Sequence, residues 1–95
     1  MKFLHSMIRV KDLDMSLDFF CNKLGMIEVK RNDYENGNFS LIFLSASGDI
    51  ETAKSDSAPL IELTYNWPDK DGKTEDFTTG RNFGHLAFSV DNIYE

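Results

Sequence analysis

The sequence predicts an α+β fold, with a βαβββ module followed by the first strand of a second, incomplete module. Apolar and polar residues alternate along residues 2–10, as in a strand, but apolar residues recur at helical spacing along 14–24. Three more strand-like segments follow before a last one begins at residue 83. We expect a single domain at 1–95, with the first module at 1–67, a loop at 68–82 and the start of a truncated second module at 83–95.

The first strand and the helix after it each have one apolar side. Alternation along the strand places Phe3, His5, Met7 and Arg9 on one face and Leu4, Ile8 and Val10 on the apolar other. The helix has an apolar stripe made of Leu13, Leu17, Phe20, Cys21 and Leu24. Because Cys21 belongs to this stripe, we expect it to be a small core residue.

Residues with capping preferences mark both ends of this helix. Asp14 is the expected N-cap, with Asp12 as the second choice, since a carboxylate there accepts a free backbone N–H. Gly25 stands where a left-handed residue commonly ends a helix.

The next three strands are predicted at Met26–Arg31, Phe39–Leu44 and Leu60–Asn66. Asn36 and Gly37 form a turn dipeptide between the first two, which predicts a hairpin. The segments Ser45–Ala58 and Asn66–Asn82 are polar and are predicted as loops.

The last strand, Phe83–Val90, resembles the first. Each has a histidine near its start, and Asp12 and Asp91 follow the two strands closely. We therefore expect a second module to begin here. A strand without its module leaves an open edge, so we expect it to pair with another chain or to be the remnant of a truncated module.

The charge balance excludes two classes of partner. The chain has 16 Asp and Glu against 10 Lys and Arg, a net charge of −6. Non-specific nucleic-acid binding and docking on an anionic membrane both require a basic face. A single cysteine rules out an internal disulfide framework, and no hydrophobic signal segment is visible, so we expect a cytoplasmic protein.

Three residues in strands could bind a metal ion: His5, Glu62 and His85. A lone histidine in a strand is more often structural than a ligand. Glu62, however, lies in an apolar strand, where a carboxylate is costly unless it is paired or metal-bound. A salt bridge across the sheet is the alternative explanation for Glu62.

A matching spacing links these residues to a second pair. His5 and Arg9 are four residues apart on one strand face, about 13 Å, and so are Glu62 and Asn66. If the two strands are parallel neighbours, His5 meets Glu62 at one end and Arg9 meets Asn66 at the other. One end then offers metal ligands and the other a guanidinium and an amide suited to a carboxylate.

Several segments carry a family resemblance, and together they cover nearly the whole chain. They are Leu-His-Ser-Met-Ile-Arg-Val at 4–10, Asp-Leu-Asp-Met-Ser-Leu-Asp-Phe-Phe at 12–20, Leu-Gly-Met at 24–26, Ile-Glu-Leu-Thr-Tyr-Asn-Trp at 61–67 and Phe-Gly-His-Leu-Ala-Phe-Ser-Val at 83–90. On these residues the chain resembles the glyoxalase I (lactoylglutathione lyase) family of the vicinal oxygen chelate superfamily, whose fold consists of such βαβββ modules.

The resemblance implies a reaction and a set of site residues. Such enzymes isomerise the hemithioacetal of methylglyoxal and glutathione to S-lactoylglutathione. By match, His5, Glu62 and His85 are metal ligands, while Arg9, Asn66 and Arg81 contact glutathione. Many members place the site between the subunits of a homodimer, and His85 would then complete the site of the partner subunit.

The resemblance leaves the base and the metal open. The family's fourth ligand is a glutamate on the last strand, usually assigned the role of base, and this chain ends before it. Glu62 is then the candidate for both ligand and base. A histidine at the first ligand position resembles the nickel type, whereas Arg81 and the longer loop before His85 resemble the zinc type; both ions accept these ligands.

Two other functions are compatible with the sequence. Two histidines and one glutamate can form the iron site of an extradiol-type dioxygenase, although Arg9, Asn66 and Arg81 disfavour it. A truncated chain without turnover, which only binds metal or ligand or dimerises, is the other.

Overall fold

The computed structural model describes residues 1–73, 82–89 and 91. Each predicted strand and the first helix are present, so the α+β prediction is confirmed. The elements are β1 (Lys2–Val10), α1 (Leu13–Leu17), a π-helical turn (Asp18–Lys23), β2 (Ile27–Tyr34), β3 (Phe39–Ser45), a 3₁₀ turn (Ser47–Asp49), α2 (Ile50–Asp56), β4 (Leu60–Asn66) and β5 (Phe83–Ser89).

The five strands form one sheet in the order β2-β3-β4-β1-β5. β1 runs parallel to β4 on one side and antiparallel to β5 on the other. β2, β3 and β4 form antiparallel pairs. The last strand therefore pairs with the first strand of the same chain. β1 holds β4 and β5 together in the sheet.

The hydrophobic core lies on one face of this sheet. Ile42, Leu44 and Leu63 are fully buried there. Residues packed around them are Val10, Leu13, Leu17, Phe20, Cys21, Met26, Ile61 and Tyr65. The predicted stripe is thus confirmed except at Leu24, which is exposed beyond the end of the helix. Burial, with a smaller contribution from Glu28, raises the pKa of the Cys21 thiol, as expected for a core cysteine.

The N-cap of the first helix is Asp12, the second choice from the sequence, rather than Asp14. Asp12 Oδ1 accepts a hydrogen bond of 3.0 Å from the backbone N–H of Met15. The prediction of Asp14 was wrong because only a residue just before the first turn can reach that N–H, and Asp14 already lies inside the turn. At the other end Gly25 has φ +76°, which confirms the predicted left-handed residue.

The hairpin between β2 and β3 is confirmed, but another residue carries its left-handed backbone. Asn38, one residue beyond the predicted Asn36–Gly37 dipeptide, has φ 55°. The Asn38 carbonyl also accepts a 2.8 Å hydrogen bond from the Trp67 backbone N–H. The hairpin is therefore tied to the end of β4.

The prediction of a loop at Ser45–Ala58 was wrong. The segment contains the 3₁₀ turn and α2, which ends at Ser57 in the left-handed conformation. Ala53 is the only buried residue of α2, and Ile50 at its start is half-buried. Two apolar residues within one turn are too few to give an apolar period that a sequence pattern can reveal.

The strand alternation of β1 is interrupted near its start, where the pairing with β5 shifts between Phe3 and His5. Leu4, predicted on the apolar face, lines a cavity together with His5 instead. Phe3 lines another cavity with Leu44 and Ile61 of the core side. Among the described helices, none is long and apolar enough to cross a membrane.

Candidate metal site

Three strands bring His5, Glu62 and His85 together on the face of the sheet opposite the core. Glu62 follows Ile61 and precedes Leu63, both of which contact the core, so its own side chain points the other way. Met7 on β1 is the cross-strand partner of both Glu62 on β4 and His85 on β5. His5 lies two residues before Met7 and therefore shares its face.

The ligand atoms of this triad lie close together. His5 Nε2 and His85 Nε2 are 2.9 Å apart. Each of them is 3.7 Å from Glu62 Oε2. One ligand atom from each residue fits within 4.8 Å of the others, and no other such group of three occurs in residues 1–73, 82–89 and 91.

The triad is buried at its base and open at its top. The Glu62 side chain is 8% exposed, His5 is 20% exposed and His85 is 47% exposed. A carboxylate this deeply buried is costly unless a cation or a hydrogen-bond donor compensates its charge. Two imidazole nitrogens lie 3.7 Å from this carboxylate, and a divalent ion bound between the three groups would compensate its charge. The exposed histidine leaves one side of the site accessible to a ligand.

The donor set fits a divalent ion. Zinc binds histidine nitrogens and carboxylate oxygens at roughly 2.0–2.2 Å, which separates two tetrahedral ligands by about 3.4 Å. The three separations in the triad, 2.9, 3.7 and 3.7 Å, lie on both sides of that value. Imidazole and carboxylate ligands also suit nickel. Small rotations of the side chains would therefore be enough to bind either ion.

The pairing of β1 with β4 differs in register from the sequence prediction, which matched Arg9 with Asn66. Arg9 pairs with Thr64, and His5 pairs with Leu60, so β1 is shifted by two residues relative to the predicted match. The His5–Glu62 contact is therefore diagonal. Arg9 and Asn66 still share the site face, but Asn66 lies two residues beyond the partner of Arg9.

Arg9 makes an additional contact with the last strand. Its Nη1 donates a 3.2 Å hydrogen bond to the Phe83 carbonyl. The guanidinium is thereby held near the start of β5. Arg81, the third predicted glutathione contact, lies outside the described residues.

His85 completes the triad of its own chain. β5 pairs with β1 of the same chain and thereby places His85 beside His5 and Glu62. That His85 completes the site of a partner subunit in a homodimer stays a prediction. Gly84 permits this close pairing. A Cβ at Gly84 would collide with the Met7 side chain and lie 2.9 Å from the Met7 carbonyl oxygen.

Sequence reasoning missed the residues that surround the triad. Phe43 pairs with Glu62, and its ring meets the His5 ring edge-on with centroids 6.1 Å apart. Lys30 pairs with Phe43 in turn, and its Nζ lies 5.9 Å from the centre of that ring. Thr64 has a buried hydroxyl with no hydrogen-bond partner in the described part of the chain. Only the strand register reveals these neighbours, and the sequence pattern does not fix it.

Comparison with known families identifies the fold and its relatives. The model of the "Glyoxalase/Bleomycin resistance protein/Dioxygenase superfamily" matches residues 2–95. The chain belongs to this superfamily. Members of the glyoxalase superfamily with similar sequences include a "Probable lactoylglutathione lyase" of Synechocystis, 43% identical over 99% of this chain and 63% of the relative. A "Lactoylglutathione lyase" of Neisseria meningitidis is 39% identical over 100% of this chain and 61% of the relative.

Solved structures of the superfamily have the same fold. Leishmania major glyoxalase I, described as trypanothione-dependent, matches with a TM-score of 0.58 and 36% identity over 70% of this chain and 43% of its own. Zea mays glyoxalase I matches with a TM-score of 0.58 and 26% identity over 70% of this chain and 21% of its own. The chain spans about three-fifths of the length of the curated relatives it matches, 63% and 61%.

Proposed function

We propose that the protein is a lactoylglutathione lyase (glyoxalase I), which isomerises the hemithioacetal of methylglyoxal and glutathione to S-lactoylglutathione. The convergence of His5, Glu62 and His85 on one sheet face, with Arg9 further along the same face, carries the proposal. The names of the relatives support it, and none of those described above is a dioxygenase. They do not favour the extradiol dioxygenase or the inactive module.

We assign the metal site to His5, Glu62 and His85. A bound divalent ion, nickel or zinc, would supply Lewis-acid polarisation of the two vicinal oxygens of the substrate. Two histidines and a carboxylate suit either ion, and the ligand chemistry does not select one. Imidazole rings from two strands and a buried carboxylate beside them form a preorganised site that needs little rearrangement.

Glu62 is the candidate proton carrier. In the hemithioacetal, C1 is the carbon that bears the sulfur and a hydroxyl, and C2 is the neighbouring ketone carbon. The isomerisation moves one hydrogen from C1 to C2 and one from the C1 hydroxyl to the C2 oxygen, so it needs no external oxidant or reductant. A carboxylate next to both carbons can accept the first proton and return it. The hydrophobic ring of Phe43 beside Glu62 limits the water that could exchange with that proton.

Arg9, Asn66 and Arg81 would bind the glutathione moiety. The Arg9 guanidinium can donate two parallel hydrogen bonds to a carboxylate of glutathione. Asn66 lies on the same face at the end of β4. The distance of Arg9 and Asn66 from the triad along the strands suits a tripeptide whose reactive sulfur lies at the metal end.

The proposal also includes a homodimer and a cytoplasmic location. A dimer would cover the exposed side chains of Phe3 and Phe88, whose ring centroids lie 5.5 Å apart. A single cysteine and a glutathione-linked substrate are typical of a reducing compartment.

Turnover of the hemithioacetal by Glu62→Gln tests the proposal. The full-length protein is stripped of metal, reloaded with Ni²⁺ or Zn²⁺, and assayed by the absorbance of the thioester product. We expect metal-dependent turnover, and we expect Glu62→Gln to lower kcat by about 100- to 10,000-fold. Glu28→Gln, at an exposed carboxylate paired with Arg31, is the matched control.

Two outcomes would contradict the proposal. Metal-loaded, folded protein without hemithioacetal turnover would favour the inactive binding module. Dioxygen consumption with catechols by the iron-loaded protein, without hemithioacetal turnover, would favour the dioxygenase.

A further inference from the structure

A cavity of about 670 Å³ adjoins the candidate metal site on the side away from Arg9. Its wall includes His5 of the triad, the Phe43 ring, and two lysines from different elements, Lys30 on β2 and Lys54 on α2. Leu4 and Leu60 form its apolar floor. The cavity therefore combines apolar walls with two cationic groups, directly beside a metal ligand.

The strand register places Lys30 near the triad. Lys30, Phe43 and Glu62 are successive cross-strand partners on β2, β3 and β4, so their side chains form one row on the site face. The Lys30 ammonium lies 5.9 Å from the centre of the Phe43 ring. The same ring meets His5 edge-on. One aromatic ring thus separates the ammonium from the candidate metal ligands.

The charge of this cavity opposes the charge of the whole chain. The chain carries a net charge of −6, yet two ammonium groups line the cavity. Asp56 also lines it, but the Asp56 carboxylate is ion-paired with Lys2 at 2.8 Å. In the part of the chain that the structure describes, no carboxylate pairs with Lys30 or Lys54. Two unpaired cations in one cavity favour an anionic ligand.

The position of Arg9 decides which part of the substrate enters this cavity. Arg9 lies four residues after His5 on β1, about 13 Å away, whereas Leu4 and Leu60 lie at the opposite end of the triad. A hemithioacetal with its glutathione moiety toward Arg9 and its reacting carbons at the triad directs the substituent of the aldehyde into the cavity.

We propose that this cavity accepts the side chain of the 2-oxoaldehyde, and that Lys30 and Lys54 make the enzyme prefer 2-oxoaldehydes whose side chain carries a carboxylate. The inference rests on the proposed function, because it assumes that glutathione lies toward Arg9. It adds a substrate class, since methylglyoxal has only a neutral methyl group to place there.

Two S-substituted glutathiones that differ in one charge test the inference without turnover. S-butylglutathione and S-(3-carboxypropyl)glutathione have the same glutathione part, so their ratio of Kd values isolates the carboxylate. Binding to the full-length protein is measured by calorimetry and by the fluorescence of Trp67, which follows Asn66. Lys30→Gln is compared with Lys23→Gln, a control at an exposed lysine of the π-helical turn paired with Asp18.

We expect the carboxylate ligand to bind about two- to five-fold more tightly than the butyl ligand, as for partly exposed ion pairs, and less so at high salt. Lys30→Gln should reduce this preference, Lys30→Glu should reverse it, and Lys23→Gln should leave it unchanged. Equal affinity for both ligands in the unsubstituted protein would overturn the inference alone. If Lys30→Gln weakened the binding of both ligands equally, Lys30 would contact the glutathione part that they share, and the inference would also be overturned. Absence of binding by either ligand would overturn the proposed function together with the inference.

Discussion

His5 Nε2 and His85 Nε2 approach to 2.9 Å, although 80 residues separate them along the chain. At that distance one ring must donate its proton to the other, unless both nitrogens turn their lone pairs toward a shared cation. Glu62 Oε2 lies 3.7 Å from both nitrogens, so a carboxylate faces the same space as the two imidazoles. The arrangement makes metal binding the first property to measure.

Replacing the exposed ligand should weaken metal binding without unfolding the sheet. We expect His85→Ala to lower the affinity for Zn²⁺ or Ni²⁺ by at least about 100-fold, since even the loss of a group that only orients a ligand commonly costs 10- to 100-fold. Titration calorimetry of the stripped protein measures it. An unchanged affinity would show that the ion binds elsewhere.

Adding one methyl group at Gly84 should displace β5. A Cβ there would collide with the Met7 side chain and lie 2.9 Å from the Met7 carbonyl oxygen, so Gly84→Ala must push the strands apart. We expect a lower Tm and a metal affinity reduced more than about 10-fold, because His85 is carried by β5. Gly48→Ala, where the added Cβ has nothing within 4 Å, is the control. Equal behaviour of the two variants would contradict the close pairing.

Removing the hydroxyl of Thr64 should stabilise the protein. Its Oγ1 is buried and makes no hydrogen bond to the residues that the structure describes, so it bears the desolvation cost without a partner among them. Thr64→Val keeps the shape and should raise the free energy of unfolding by roughly 1 kcal/mol. Urea denaturation measures the change, with Thr52→Val on the exposed side of α2 as the reference. A loss of stability would reveal a partner for this hydroxyl.

Asp12 and Asp14 should differ in their effect on stability. Asp12→Ala removes the side-chain acceptor of the Met15 N–H and should cost about 1 kcal/mol of unfolding free energy. Asp14→Ala removes only an acidic group in the first turn, worth a few tenths of a kcal/mol near the positive end of the helix. Comparison of the two Tm values checks this, and a larger effect at Asp14 would reverse the assignment of the cap.

Local patterns were sufficient for the elements of the sheet and indicated which side chains could bind a metal ion. Alternation revealed β1, the helical period revealed α1, and a carboxylate in an apolar strand revealed Glu62. These signals depend on neighbours along the chain, so a single sequence contains them. The N-cap was misplaced by two residues because Asp12 and Asp14 have the same chemistry.

Properties that depend on the alignment of distant strands were not accessible in the same way. A shift of two residues between β1 and β4 keeps every side chain on its face, so the alternation pattern is identical for both registers. The predicted pairing of Arg9 with Asn66 therefore differs from the observed one, although both residues share the expected face. Lys30 and Phe43 lie next to the triad because of the registers of β2 with β3 and of β3 with β4, and they were missed for the same reason. The sequence prediction missed α2 because its single buried alanine leaves no periodic signal.

The position of β1 between β4 and β5 makes ion binding at the candidate metal site depend on the assembly of the sheet. Each edge of β1 recruits one of the other two ligands, so three donors converge only after both ladders have formed. An ion that binds this converged state and not the separated strands must, by mass action, shift the equilibrium toward the fully paired sheet. In this protein the cofactor of the reaction would thus also act as a clasp between the first and the last strand.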